Sequence, residues 1–212
     1  MKTTNTVPSA GVHSSIPDEL VLVVRREKLF PNGAWQGIHQ ADCNEFAGVI
    51  RAHQEFLPRS RMETDPRYKQ IIPYLIFCYE NRYFVMQRRS NSSEQRLQSK
   101  LSLGIGGHVN MEDLAGETIV DWAQREFAEE VSYTGSYSIS PFGIINDDSN
   151  DVGKVHLGFV YLLQGDSPHI SVQSELKSGI LLTLAECKER YNSMETWSQI
   201  IIDTLCTETF RK

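Results

Sequence analysis

Apolar positions recur along the chain in short blocks whose spacing changes from two to near four. Glu19–Val24 (ELVLVV) reads as a strand closed by the charged Arg25–Lys28. Trp35–Ile38 follows a Pro-Asn-Gly turn and reads as a second short strand. Asn44–Phe56 reads as a helix with Phe46, Val49, Ile50 and Phe56 on its apolar side. Gln70–Tyr79 is an apolar run expected to be a buried strand, and Glu80–Arg82 turns it into Tyr83–Arg88. After the polar stretch Ser90–Lys100 come the strand Leu101–Ile105, the turn Gly106-Gly107 and a loop to Gly116. Glu117 to about Val131 has Val120, Ala123, Phe127 and Val131 at helical spacing. Ser136–Ile145 and Val152–Leu163 read as strands of a hairpin around the acidic Asn146–Asp151, with Ser174–Gly179 as a loop or short edge segment. Thr183–Arg190, opened by a Thr cap, and Met194–Leu205, with Trp197, Ile200, Ile201 and Leu205 inward, read as helices.

That alternation of strands and helices predicts an α/β (α+β) chain, and composition narrows what it does. The 212 residues are 40% hydrophobic and 23% charged, enough for one core of ordinary surface. A net charge of −6 argues against a partner that is a nucleic-acid polymer, which needs a basic surface. Residues 1–17 are rich in Thr, Ser, Gly and Pro and are expected to be a flexible segment without a signal peptide. No apolar run approaches the roughly 20 residues of a membrane span, so no membrane is expected. The four cysteines, Cys43, Cys78, Cys187 and Cys206, show neither paired nor metal-type spacing. Reduced thiols and a cytoplasmic location are the expectation.

Chemistry concentrates on the helix that begins at Glu117. An α-helix advances about 100° per residue, so Glu126, Glu129 and Glu130 share a face apart from the apolar stripe. Such a face is often only solvated. Three carboxylates within two turns also repel one another, and a hard divalent cation relieves that repulsion.

The pattern resembles the Nudix box. Glu117, seven residues, Arg125-Glu126-Phe127, Ala128 and Glu129-Glu130 match it without a gap. Nine residues separate Gly107 from Glu117 where the family pattern has five, and Ser132 stands where it has Gly. Further segments, Lys69–Tyr74 (KQIIPY), Ser102–Asn110 (SLGIGGHVN), Ile145–Gly158 (INDDSNDVGKVHLG) and Glu195–Ser198 (ETWS), are similar to a bacterial branch of predicted MutT-like phosphoesterases. The resemblance implies a Nudix-type α/β/α sandwich with a mixed sheet, the box helix packed on it. It implies a single domain over 18–212, with an N-terminal elaboration (about 18–68) packed on the main sheet.

The same resemblance implies hydrolysis of a diphosphate linkage in a small-molecule substrate with Mg²⁺ or Mn²⁺. Glu129 and Glu130 would be metal ligands, with a backbone carbonyl near Gly106 or Gly107, and Glu126 a further ligand or the base that orients water. Arg125 would hold the loop–helix geometry by pairing with Glu117. Outside the box, Arg59, Lys69 and Arg88 are either solvated loop cations or phosphate contacts. His108 is either a plain loop histidine or a substrate contact, and Asp147, Asp148 and Asp151 are either a soluble hairpin tip or metal ligands. His156 reads as a core histidine or a support to the site, while Asp148, His156 and Glu175 all remain open as an extra ligand or base. A nucleotide-binding sensor without catalysis and a prenyl-diphosphate isomerase are the alternatives, the latter wanting a Cys–Glu acid–base pair. The sequence leaves the oligomeric state open, a homodimer being common in the superfamily.

Overall fold

A single twelve-residue strand, Tyr68–Tyr79, carries both cores of the molecule. Its odd positions Ile71, Leu75 and Phe77 enter one hydrophobic cluster, and its even positions Ile72, Tyr74 and Ile76 enter another. A strand buried on both faces reads as an unbroken apolar run rather than an alternation, as this one does. The structure, a computed structural model, describes residues 18–40, 43–88, 100–111, 118–173 and 176–209.

In chain order the elements are β1 (Leu20–Arg25), α1 (Arg26–Leu29), β2 (Gly37–His39), α2 (Cys43–His53), β3 (Gln54–Pro58), α3 (Arg59–Met62), β4 (Tyr68–Tyr79) and β5 (Arg82–Arg88). Then come β6 (Leu101–Ser102), β7 (Gly104–Gly106), α4 (Ile119–Glu130), β8 (Val131–Tyr133), β9 (Tyr137–Asn146) and α5 (Asp151–Val155). The chain continues through β10 (His156–Gly165), β11 (Ile170–Val172), β12 (Leu176–Thr183), α6 (Leu184–Glu189) and α7 (Thr196–Thr209).

The main sheet runs β12-β5-β4-β10-β9-β2, with β1, β6 and β7 joined to its strands and β3 to β1. It is mixed: β4 and β10 pair in parallel, while its other pairs are antiparallel. On one face Ile119, Trp122, Ala123 and Phe127 of α4 pack with Ile50 of α2, and the Phe127 ring stacks on Phe77 at 5.9 Å. On the other face Cys187 of α6 and Trp197, Ile201 and Leu205 of α7 close the second core. The result is the expected α/β/α sandwich, with the box helix on the sheet.

Four segments depart from the sequence reading. The helix from Cys43 stops at His53, and Gln54–Pro58 is a strand whose Phe56 pairs with Leu22 of β1. Phe56 fits a helical stripe by spacing, yet β1 has an unsatisfied edge that a strand fills. Val152–Val155 is not strand but the helix α5, because the Asn150 side chain accepts a bond from the Gly153 amide and caps a turn there. Of the two readings for Ser174–Gly179 the edge segment holds, and it is longer than expected: Leu176–Thr183 is an edge strand on β5, with Ile180 58% exposed. The N-terminal segment is hydrogen-bonded into the sheet through β1, β2 and β3, not laid upon it.

The acidic segment after β9 is also an anchor, not a soluble tip. Asp147 is fully buried and accepts bonds from Gln36 Nε2 at 2.6 Å and Asn150 Nδ2 at 2.8 Å. Asp148 accepts from Arg26 and from Lys69 Nζ at 2.9 Å, and the same ammonium donates to the Gly153 carbonyl at 2.7 Å. Lys69 has no exposed surface, so it holds the fold together and does not meet substrate phosphates, contrary to the sequence expectation.

One glycine in the box strand is fixed by space. A Cβ at Gly104 would run into the Tyr74 ring, which is itself buried and bonded. Gly104→Ala is expected to cost about 1–3 kcal/mol by overpacking. A lowered urea midpoint at unchanged slope checks this, and an unchanged midpoint contradicts it.

Candidate functional site

A cleft of about 340 Å³ opens where β4, the end of β7, α4, α5 and the start of α7 converge. Its floor is a hydrogen-bonded polar cluster. Tyr74 donates to Glu195 Oε1, the Gly104 amide donates to the Tyr74 oxygen at 3.0 Å, and the Leu103 amide to Ser198 Oγ at 2.8 Å. Ser102 Oγ donates to the Gly104 carbonyl at 2.7 Å. These bonds tie the box strand to the C-terminal helix, so the floor is rigid. Burial, reinforced by the Glu195 charge, pushes the Tyr74 hydroxyl well above its ordinary pKa, and it stays a donor.

The acidic wall is α4. Thr118 caps it, its hydroxyl accepting from the Asp121 amide while Asp121 accepts from the Thr118 amide, and this reciprocal cap starts the helix at Ile119. From that start Trp122, Ala123 and Phe127 fall into the core, and Glu126, Glu129 and Glu130 line the cleft. The Glu126 carboxylate lies over Gly107, where a Cβ would collide with it. Glu129 is 62% exposed and pairs with Arg125 Nε at 3.6 Å, so Arg125 here steadies the helix face. Glu117, its expected partner, lies outside the described residues.

The opposite wall carries charge and imidazole. Arg59 pairs with Glu19 at 2.8 Å and Glu63 at 3.3 Å. Burial, which opposes its charge, is outweighed by these two carboxylates, and its pKa is raised. His108, in the loop after Gly107, stands with its Nε2 3.3 Å from His156 Nε2 and 4.0 Å from Glu63 Oε1. His156 is 5% exposed, with Nδ1 2.7 Å from the Val152 carbonyl.

Among the residues expected from sequence, the fold brings Glu126, Glu129, Glu130, Gly106, Gly107, Arg59 and His108 to this cleft. Lys69 is directed elsewhere, Arg88 is placed only by its backbone on β5, and Glu175 lies outside the described residues. Glu19, Asn150, Glu195 and Thr196 line the cleft without having been expected there, and Glu63, just after α3, approaches His108. Each is an ordinary polar residue in its own segment. Asn150, Glu195 and Thr196 carried a signal, standing within the Ile145–Gly158 and Glu195–Ser198 similarities.

What the cleft can do follows from its donors. Carboxylate and carbonyl oxygens suit Mg²⁺ or Mn²⁺, and Arg59 suits a phosphate. Among the described residues the carboxylates of α4 do not draw together as a three-ligand cage; Mg²⁺ commonly needs only one or two, with water and phosphate oxygens for the rest.

No protein-family model matches the chain. Protein YmaB of Bacillus subtilis (strain 168) is 35% identical over 202 residues, covering 89% of this chain and 98% of YmaB. The crystal structure of Tm1382, a suggested Nudix hydrolase, superposes with a TM-score of 0.74 at 29% identity, covering 88% of this chain and 98% of that one. The Nudix domain of Shewanella oneidensis NrtR, solved with ADP ribose, shares the fold at a TM-score of 0.53 and 12% identity, covering 66% and 88%.

Proposed function

The chain belongs to the Nudix superfamily, and from that premise we propose that it is a divalent-metal-dependent hydrolase cleaving a diphosphate linkage. The substrate class is a nucleoside diphosphate joined to another group, or a similar organic pyrophosphate. One observation carries the reading: Glu126, Glu129 and Glu130 face the same cleft as Gly106, Gly107 and a guanidinium.

Glu129, Glu130 and a backbone carbonyl at Gly106 or Gly107 are the hard donors that would hold Mg²⁺ or Mn²⁺. The ion would supply charge neutralisation at the diphosphate and a lowered pKa for bound water. Glu126, half-buried against Gly107, is a further donor or accepts the proton of the attacking water. Arg59, fixed by Glu19 and Glu63, presents a preset cation to a phosphate oxygen, so little side-chain entropy is lost on binding. Arg125 orients Glu129 from outside the cleft lining.

The isomerase alternative lacks its acid–base pair. None of the four cysteines lines the cleft, and burial pushes the thiols of Cys78 and Cys187 up to about 11. A sensor without catalysis has no use for three carboxylates around the ligand.

The test is a panel of nucleotide sugars, dinucleoside polyphosphates, oxidised nucleotides and coenzymes, assayed for monophosphate release with Mg²⁺ and with Mn²⁺. Turnover of at least one class, abolished by EDTA, is expected. Turnover indifferent to EDTA contradicts the metal role; tight binding of a panel member without release of product favours the sensor.

A further inference from the structure

We propose that Glu63, His108 and His156 form a second metal site in the cleft, selective for a transition metal such as Zn²⁺, beside the hard-donor site of α4. The three ligand atoms lie within 4.8 Å of one another, the sole such group among the described residues. Zn–N bonds of about 2.0–2.1 Å at a tetrahedral angle set two nitrogens about 3.3 Å apart. His108 Nε2 and His156 Nε2 are 3.3 Å apart, and Glu63 Oε1 is 4.0 Å from the former. That nitrogen spacing, at the long end for the hydrogen bond the two rings make, also suits two ligands of one ion.

The protonation pattern agrees. A carbonyl oxygen can only accept, so at 2.7 Å from the Val152 carbonyl the His156 Nδ1 carries the proton. In the neutral ring the Nε2 lone pair then faces His108, the arrangement usual for a metal-bound imidazole with an outer carbonyl partner.

The ligands are also held in place before any ion arrives. Glu63 follows α3, His156 begins β10, and the His108 loop is pinned to β1 by the Leu22 amide on the Val109 carbonyl at 2.8 Å. Arg59 lies close, but Glu19 and Glu63 both pair with it and leave the corner one negative charge in excess. Imidazole nitrogen favours Zn²⁺, Co²⁺ or Fe²⁺ over Mg²⁺, so the two sites divide metals by donor type. Three protein ligands leave a position open to the cleft, as in catalytic His₂Glu sites.

The test uses the full chain, stripped with EDTA and titrated with Co²⁺ alone. One equivalent is expected to give intense visible d–d bands, unlike the weak bands of six-coordinate oxygen-ligated Co²⁺, and Zn²⁺ should displace it. His108→Ala and Glu63→Gln should each weaken Co²⁺ binding by more than the roughly 10–100-fold that losing an outer partner costs. Glu130→Gln should leave the bands intact. His156 is buried, so the two variants at less buried positions carry the test if His156→Ala does not fold. Weak bands only, or bands lost in Glu130→Gln and unchanged in His108→Ala, overturn the proposal. Intact bands in a protein inert towards every diphosphate would sink the hydrolase reading and leave this site standing.

Discussion

Glu130→Gln is expected to lower turnover by at least about 10²-fold while the melting temperature stays within a few degrees of the parent. The substitution keeps the shape of a side chain that ends α4 and lines the cleft, and removes only its charge. Amide oxygen is a poorer donor to a hard dication than carboxylate, so raised Mg²⁺ or Mn²⁺ should recover part of the rate. Glu195→Gln is the instructive contrast. It changes a carboxylate of the same cleft that is committed to Tyr74, Ser102 and Ser198, and should act first on stability. Near-normal turnover in Glu130→Gln would remove the metal-dependent mechanism.

The largest loss of stability is expected from Asp148→Asn, about 3–5 kcal/mol, because it leaves the enclosed Lys69 ammonium without its counter-charge. For a chain of this size that is about 10 °C in Tm. Adding Lys69→Met should restore much of it, since an uncharged chain of similar length needs no partner.

The pH dependence has a defined sign. Burial, which opposes ionisation of Asp148, is outweighed by Arg26 and Lys69, so its carboxyl sits well below the ordinary range. The unfolded carboxyl titrates near 4, so this stabilisation is complete above that value and is lost as pH falls below it. Lys69 is pushed down to about 8 by burial, against an ordinary 10.5. Between those two values the unfolded state holds the extra proton, so the lysine makes stability rise with pH there. Chemical denaturation from pH 3 to 10 reads both limbs. Asp148→Asn should flatten the acid limb and Lys69→Met the alkaline one; parallel curves for parent and variants would contradict the account.

Much of this molecule was legible because its strongest signals are local. The β4 run needs only its own composition to read as doubly buried, and α4 shows its apolar and acidic faces within its own turns. Thr183 and Glu186 announce α6, where each accepts from the other's backbone amide. The cleft is different, because the segments similar to the phosphoesterase branch are scattered. Lys69–Tyr74, Ser102–Asn110, Ile145–Gly158 and Glu195–Ser198 supply Tyr74, Gly107, His156 and Glu195 to one cavity. Nothing in those segments says that they meet. The parallel pairing of β4 with β10 sets Gln70 beside His156, and the antiparallel pairing of β7 with β4 sets Gly106 beside Tyr74. Hydrogen bonds from Tyr74 and Ser102 draw in Glu195. Lys69 was misjudged for the same reason: strand alternation turns it away from Gln70 and towards Asp148, a partner 79 residues distant.

The walls of the cleft draw on residues as far apart as Glu19 and Trp197. No partly unfolded form can therefore offer a ligand the whole set of contacts. Occupancy is coupled to the global unfolding equilibrium, and a ligand at one hundred times its Kd adds about 2.7 kcal/mol. A small molecule that fits this cavity will announce itself as a rise in Tm with concentration, before any product of a reaction has been identified.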